Sequence, residues 1–303
     1  MPTLIFDGHP FLLADHGDVG LSRRQVIEAA QAGALRRVLD RVYIDAAVRD
    51  TRAVRLESIR LVAPPQAVVA DEWAAWVYGV DAFSPSQRHR MIPTLLVPHG
   101  QSRSRIPGVR CRQPKLSSED IHSLDRVLLT TPVRTTSDML RKRWRPHALS
   151  SADTMAHAGL VTPGEVQDYL AGLKGYPGIR QARNLATWIE PLTQSPGESW
   201  SRLRMLDAGF PRPQAQWCVV DVDGVERWVD LAYPEVKLGA EYDGQEFHSS
   251  GGDRALDRGR RTALGARGIR FVITGYEGIF GTDSSFEEQI GRFLGQTPLH
   301  RRW

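Results

Sequence analysis

Cysteine is nearly absent from this sequence: Cys111 and Cys218 are the two in 303 residues. Two thiols make one disulfide at most, so a disulfide framework is excluded, and so is a zinc site built from four cysteines. Long apolar runs are lacking as well; none approaches the roughly 18 residues that suggest a membrane span. The opening stretch, MPTLIFDGHPFLLADHGD, has no basic leader and mixes acids among its apolar residues, which is not the pattern of a secretory signal. Internal repeats and low-complexity tracts are missing too. Lysine is scarce, confined to Lys115, Lys142, Lys174 and Lys237. The expectation is a soluble, cytoplasmic protein with no membrane partner.

What is present is an ordinary globular composition, 41% hydrophobic and 24% charged, in a chain long enough for two or three domains. The net charge of +4 and pI of about 9.3 bias the protein mildly towards acidic partners such as nucleic acid. The positive charge is carried by arginine, whose fork donates two hydrogen bonds to one phosphate. A GC-rich genome, which encodes arginine by default, explains the larger part of that bias.

Three regions separate along the chain. In the first, residues 1–83, Ser22 and Gln25 have capping-box spacing and open a helix from Arg23 to Ala32 that stops at Gly33. ALRRVLDRVYIDAA then reads as a small hairpin around Leu39-Asp40-Arg41. Further helices are expected over residues 51–62 and 71–78. The middle region, residues 84–191, opens on a loop (SPSQRHR), continues in the strand-like MIPTLLVPHG and VRCRQ, and turns helical; Thr162, Pro163 and Glu165 mark one helix start. The third region, residues 192–303, reads α-β-β-β-α-β-α. Asp223-Gly224 is its hairpin turn, and DRALDRGRRTALGAR is a basic amphipathic helix. The fold class is therefore α/β and multi-domain: a winged-helix-like first domain, a mixed α+β middle, and a C-terminal α/β domain on a central mixed sheet.

The residues that carry chemistry lie in that last domain. Asp230 sits in a hairpin strand. Glu241 and Asp243 are two apart on the next strand and so share a face. Three carboxylates at one end of a sheet repel one another unless something neutralises them. A hard cation, Mg²⁺ or Mn²⁺, does so through carboxylate oxygens, and it can polarise a phosphodiester and activate a water. His248 follows close behind and can move a proton at neutral pH. Arg254, Arg258, Arg260 and Arg261 share one helix, where they suit either a phosphate backbone or a solvated face. Glu198 has two readings, as the third residue of a cap begun by Ser195 and Pro196, and as a side chain reaching the carboxylates from its helix.

On these residues two resemblances rest. SPGESWSRLRMLDAGFPRPQAQ, WVDLAYPEVKLGAEYDGQEFH and DRGRRTALGARGIRFV together resemble the very-short-patch-repair-like endonucleases of the PD-(D/E)XK, restriction-endonuclease-like superfamily. The resemblance covers about 100 residues. It implies that Asp230 is the central metal ligand, with Glu241 and Asp243 at the (D/E)-x-K position. Asp243 replaces the usual lysine, which raises the importance of His248. Lys237 lies four residues before Glu241 and is not assigned the missing role. The zinc site of the repair enzymes does not carry over, because the cysteines are absent. LSRRQVIEAAQAGALRRVLDRVYIDA, followed by VVADEWAAWVYGV, is similar to the winged-helix domain of abortive-infection type IV antitoxins. That implies DNA binding, with Arg23, Arg24, Arg36, Arg37 and Arg41 as phosphate contacts.

Two expectations of different class follow. In the first, a winged helix docks on DNA and delivers a metal-dependent endonuclease that uses Asp230, Glu241, Asp243, His248 and Glu198. In the second, the chain is a non-catalytic DNA-binding regulator or antitoxin whose nuclease-like domain is a scaffold. A protein-binding antitoxin that touches no nucleic acid is a weaker third. The protein partner, a toxin or another protein, is left open, and no small-molecule cofactor is expected.

Overall fold

In a computed structural model of the protein, the structure describes residues 8–98, 108–244, 251–299 and Trp303, and the side chains of all of these except 85–86 and 251–257. The chain divides into two compact units, Met1–Met139 and Leu140–Trp303.

The first unit begins with β1 (Phe11–Leu12), α1 (Arg23–Gln31), β2 (Leu35–Leu39), β3 (Val42–Asp45) and α2 (Arg52–Val62). Ser22 and Gln25 close the expected reciprocal cap on α1. The hairpin β2–β3 follows as read, and β1 adds antiparallel to it in the order β1-β3-β2. Val26, Leu35, Phe11 and Leu21 are buried together beneath it.

The rest of the unit comprises β4 (Val68–Val69), α3 (Glu72–Val77), α4 (Pro85–Arg90), β5 (Thr94–Leu96), β6 (Arg110–Arg112), β7 (Ile121–Leu124), β8 (Val127–Thr130) and the start of α5 (Pro132–Lys142), within which the division falls. The strands form a mixed sheet in the order β6-β5-β4-β8-β7. Its central strand β4 precedes residue 83, so the domain boundary expected there cuts through one sheet. The expected loop SPSQRHR is instead α4, capped reciprocally by Ser84 and Gln87 with Pro85 in its first turn.

The second unit starts with helices, α6 (Arg145–His157), α7 (Pro163–Gly172), α8 (Ile179–Ala186) and α9 (Pro196–Asp207). It continues with β9 (Gln214–Val220), β10 (Glu226–Tyr233), β11 (Leu238–Tyr242), α10 (Gly251–Gly265), β12 (Arg270–Thr274), α11 (Tyr276–Phe280) and α12 (Ser285–Leu294). The order matches the α-β-β-β-α-β-α expectation, with α11 as an addition. The sheet runs β12-β11-β10-β9: an antiparallel meander, then β12 parallel to β11 after the α10 crossover. Both faces are covered. Met205 of α9 and Phe286 and Ile290 of α12 pack with Leu231, Ala240 and Val272 on one side. Leu264 of α10 packs with Val229 and Ala232 on the other.

One irregularity matters for the site. Ala215 belongs to the first of these cores and Trp217 to the second, although they are two apart on β9. Opposite them, Val229 and Leu231 of β10 are divided in the same way. Between the pairs lies Gln216, with φ +49, a left-handed conformation that non-glycine residues rarely take. The strands change face at Gln216 and Asp230.

No helix among the described residues is long and apolar enough to cross a membrane.

Candidate functional site

At the end of this sheet a pocket of about 450 Å³ is lined by Asp230, Glu241 and Asp243 together with Arg227, Arg260, Arg261 and Trp228. Asp230 comes from the face change in β10. Glu241 is the fourth residue of β11, on the α10 side, because Ala240 and Tyr242 turn to the α9 side. Asp243 lies just beyond β11, and its N–H donates to Thr274 O at 2.7 Å, extending the β11–β12 pairing into the pocket wall.

Glu241 is buried, 5% exposed, and Arg260 Nη1 lies 2.8 Å from its Oε1 and Arg261 Nε 3.8 Å from its Oε2. The close approach to Oε1 has the distance of an ion pair without the direction of a hydrogen bond, so that oxygen has no hydrogen-bond partner among the described residues. Arg260 is held from behind, where Nη1 donates to Trp228 O at 2.8 Å. Arg227 Nε donates to Asp221 Oδ2 at 2.8 Å, and that bond, with backbone N–H groups, holds the Asp221 carboxyl below the usual carboxylate range.

Glu198 borders the pocket from α9. Its Oε2 accepts from Gln194 N at 3.0 Å and from Gln216 Nε2 at 3.2 Å, and both glutamines line the pocket. Its own N–H donates to Ser195 Oγ, so the capping role is real. Burial pushes its carboxyl above the ordinary range. The cap is therefore formed, and the carboxylate engages two pocket-lining glutamines.

The residues fit a divalent cation in part. The donor set is hard, and one buried oxygen of the pocket residue Glu241 is without a hydrogen bond among the described residues. Among the described residues, however, no three carboxylate, histidine or cysteine side chains are gathered closely enough to hold a metal ion. Glu241 is matched instead by guanidinium groups.

Other expected site residues are placed as follows. Arg258 is exposed on α10. His248 and the side chain of Arg254 lie outside the described residues. Lys237 begins the far end of β11, with φ +49, and its Nζ reaches Arg267 O at 3.4 Å, away from the carboxylates. In the first unit the basic hairpin is partly tied up. Arg36 Nη2 donates to Val48 O at 3.2 Å, Arg37 Nη2 donates to His89 O, and Arg41 is exposed 3.8 Å from Asp40. Arg36 thus ties down its own loop with one of its guanidinium donors. The open basic face is on α1, where Arg23, Arg24, Ile27 and Gln31 are all exposed. Sequence reasoning missed Arg227 and Trp228, although both stand within three residues of Asp230.

Comparison with known proteins finds a likeness to one family over part of the chain. Residues 66–187 match the model of the AbiEi antitoxin C-terminal domain. Of the stretches compared above with type IV antitoxins, the match takes in VVADEWAAWVYGV and leaves out the hairpin stretch; it also runs through the middle region as far as residue 187. Two uncharacterized proteins of Mycobacterium tuberculosis, from strains H37Rv and CDC 1551, are each 29% identical over 287 residues, covering 92% of this chain and 99% of their own length. A crystal structure of another M. tuberculosis protein aligns with a TM-score of 0.31 and 13% identity over 60% of this chain and 73% of that one, too distant to say anything about fold or site. From residue 66 to residue 187, then, the sequence is similar to the AbiEi antitoxin C-terminal domain.

Proposed function

We propose that this protein is an antitoxin-like regulator that binds nucleic acid, with a toxin as its protein partner. The observation that carries this reading is the antitoxin family match over residues 66–187. The exposed face of α1 adds to it: Arg23, Arg24 and Gln31 are exposed on the helix that precedes the hairpin, a placement suited to a nucleic-acid groove. Arg24 pairs with Glu28 at 2.7 Å, but both are largely exposed, and such a pair gives way readily to a phosphate. The test is a mobility-shift titration on duplex DNA at several salt concentrations. Binding should weaken steeply with salt. Arg23→Ala/Arg24→Ala should reduce the slope of log K against log salt by about 0.9 for each phosphate that is no longer neutralised. Absence of salt-sensitive binding to any duplex or single strand rejects the reading.

A second reading is favoured by one specific observation, the three carboxylates sharing a pocket with Arg260 and Arg261. In this reading the C-terminal domain is a Mg²⁺- or Mn²⁺-dependent endonuclease. A bound ion would supply Lewis-acid polarisation of a phosphodiester and an activated water. Asp230, Glu241 and Asp243 would hold the ion, Arg260 and Arg261 would exchange Glu241 for the phosphate, and Glu198, its proton affinity raised by burial, would hold or release a proton at the pocket edge. Incubating supercoiled plasmid and single-stranded oligonucleotides with either ion, beside Asp230→Ala, separates the readings. Metal-dependent cutting abolished in the variant supports the enzyme, and no cutting with binding intact leaves the regulator.

A further inference from the structure

Trp228 is 51% exposed and lines the pocket together with its charged side chains. Its backbone is fixed on both sides of the strand. It pairs with Cys218 of β9, and its carbonyl accepts from Arg260. Ile273, 43% exposed on β12, contributes another apolar surface to the same pocket. A large ring left half in water forgoes much of the free energy its burial would give. It belongs to neither of the buried cores that cover the two faces of the sheet.

The groups around the ring have a common complement. Arg227, Arg260 and Arg261 suit backbone phosphates, and Glu226, Asp230, Glu241 and Asp243 suit amino donors. An indole beside them suits a flat, uncharged π-face. A nucleotide with its base unstacked offers all three, and the pocket volume falls within the range of small-ligand sites. A base inside a duplex has both faces covered by its neighbours and cannot use the indole.

We propose that the pocket is a binding site for one unpaired nucleotide of single-stranded DNA, whose base stacks on Trp228 while its phosphate is held by the pocket arginines. This deepens the nucleic-acid-binding reading and rests on it.

The experiment compares two single-stranded oligonucleotides of equal length, one with all bases and one with a run of abasic sites, bound to wild-type protein, Trp228→Phe and Trp228→Ala. Affinity is read by anisotropy, and stacking by quenching of a 2-aminopurine placed in the first strand. Base–aromatic stacking makes the wild type prefer the base-bearing strand by about tenfold. Trp228→Ala should bring that ratio near unity and remove the quench, and Trp228→Phe should retain part of both. An unchanged ratio and quench in Trp228→Ala overturns the stacking site while leaving nucleic-acid binding in place. A wild type that binds both strands equally overturns it too. A wild type that binds neither strand nor duplex overturns it together with the regulator reading beneath it.

Discussion

Arg202 and Asp153 meet in the interior of the second unit with side chains 0% and 1% exposed, their charged atoms 2.6 Å apart. The carboxylate also accepts from Glu190 N at 2.9 Å, and the guanidinium donates to Trp188 O. Burial pushes the Asp153 carboxyl up, and Arg202 is the leading influence that pulls it back. Removing one partner leaves the other charge stranded in low dielectric. Arg202→Ala should therefore cost about 3–5 kcal/mol in chemical denaturation. Replacing both partners by apolar residues, Arg202→Met/Asp153→Leu, should recover a large part of that loss. If the double variant is no more stable than Arg202→Ala, the pair is not an isolated electrostatic unit. Such partners explain what a sequence conceals at this scale. The carboxylates of the pocket were legible from spacing alone. That Glu241 faces two arginines, or that Arg36 serves a backbone carbonyl, depends on residues far apart in the chain or on how a loop folds back.

At the scale of elements, the approach of α9 to β11 is set by a missing side chain. A Cβ on Gly197 would stand 2.1 Å from the Tyr242 ring, a pocket-lining residue next to Glu241. Gly197→Ala should force the helix and strand apart at a cost of about 1–3 kcal/mol, seen as a lower melting temperature. Adding Tyr242→Ala to make room should restore part of it. A melting temperature unchanged by Gly197→Ala would contradict this packing. Local chemistry made many elements readable. Ser22 with Gln25 and Thr162 with Glu165 cap their helices as the spacing predicts. Ser84 with Gln87 uses the same device in α4, but the run of polar residues hid it. The hairpin β7–β8 escaped because its turn is Asp125-Arg126, both at positive φ (45° and 65°), where Gly or Asn is the usual signal.

For the molecule as a whole, α/β architecture was legible from the alternation of periods along the chain, and the meander with its parallel return was legible in order. Its grouping was not. The strand Val68–Val69 is only two residues long and sits at the centre of a sheet whose other strands all come later, from residue 94 onward. Pairings of that separation leave no mark in local composition. The family match crosses the same ground, running from residue 66, just before β4, to residue 187. The basic character, +4 over the full chain, likewise says little until the exposed arginines of α1 are separated from those already engaged.

The change of face at Gln216 has a consequence for how the C-terminal sheet can work. Along β9 and β10 the buried side chains there pass from the face cushioned by α10 to the face cushioned by α9 and α12. Asp230 stands on the seam, between a neighbour on each face. A polar group on such a seam stays within reach of water or of a ligand even though its strand neighbours Val229 and Leu231 are sealed, 0% and 1% exposed, on opposite sides. The fold thereby holds a charged opening at the centre of a strand, where an unbroken pleat would have buried a side chain.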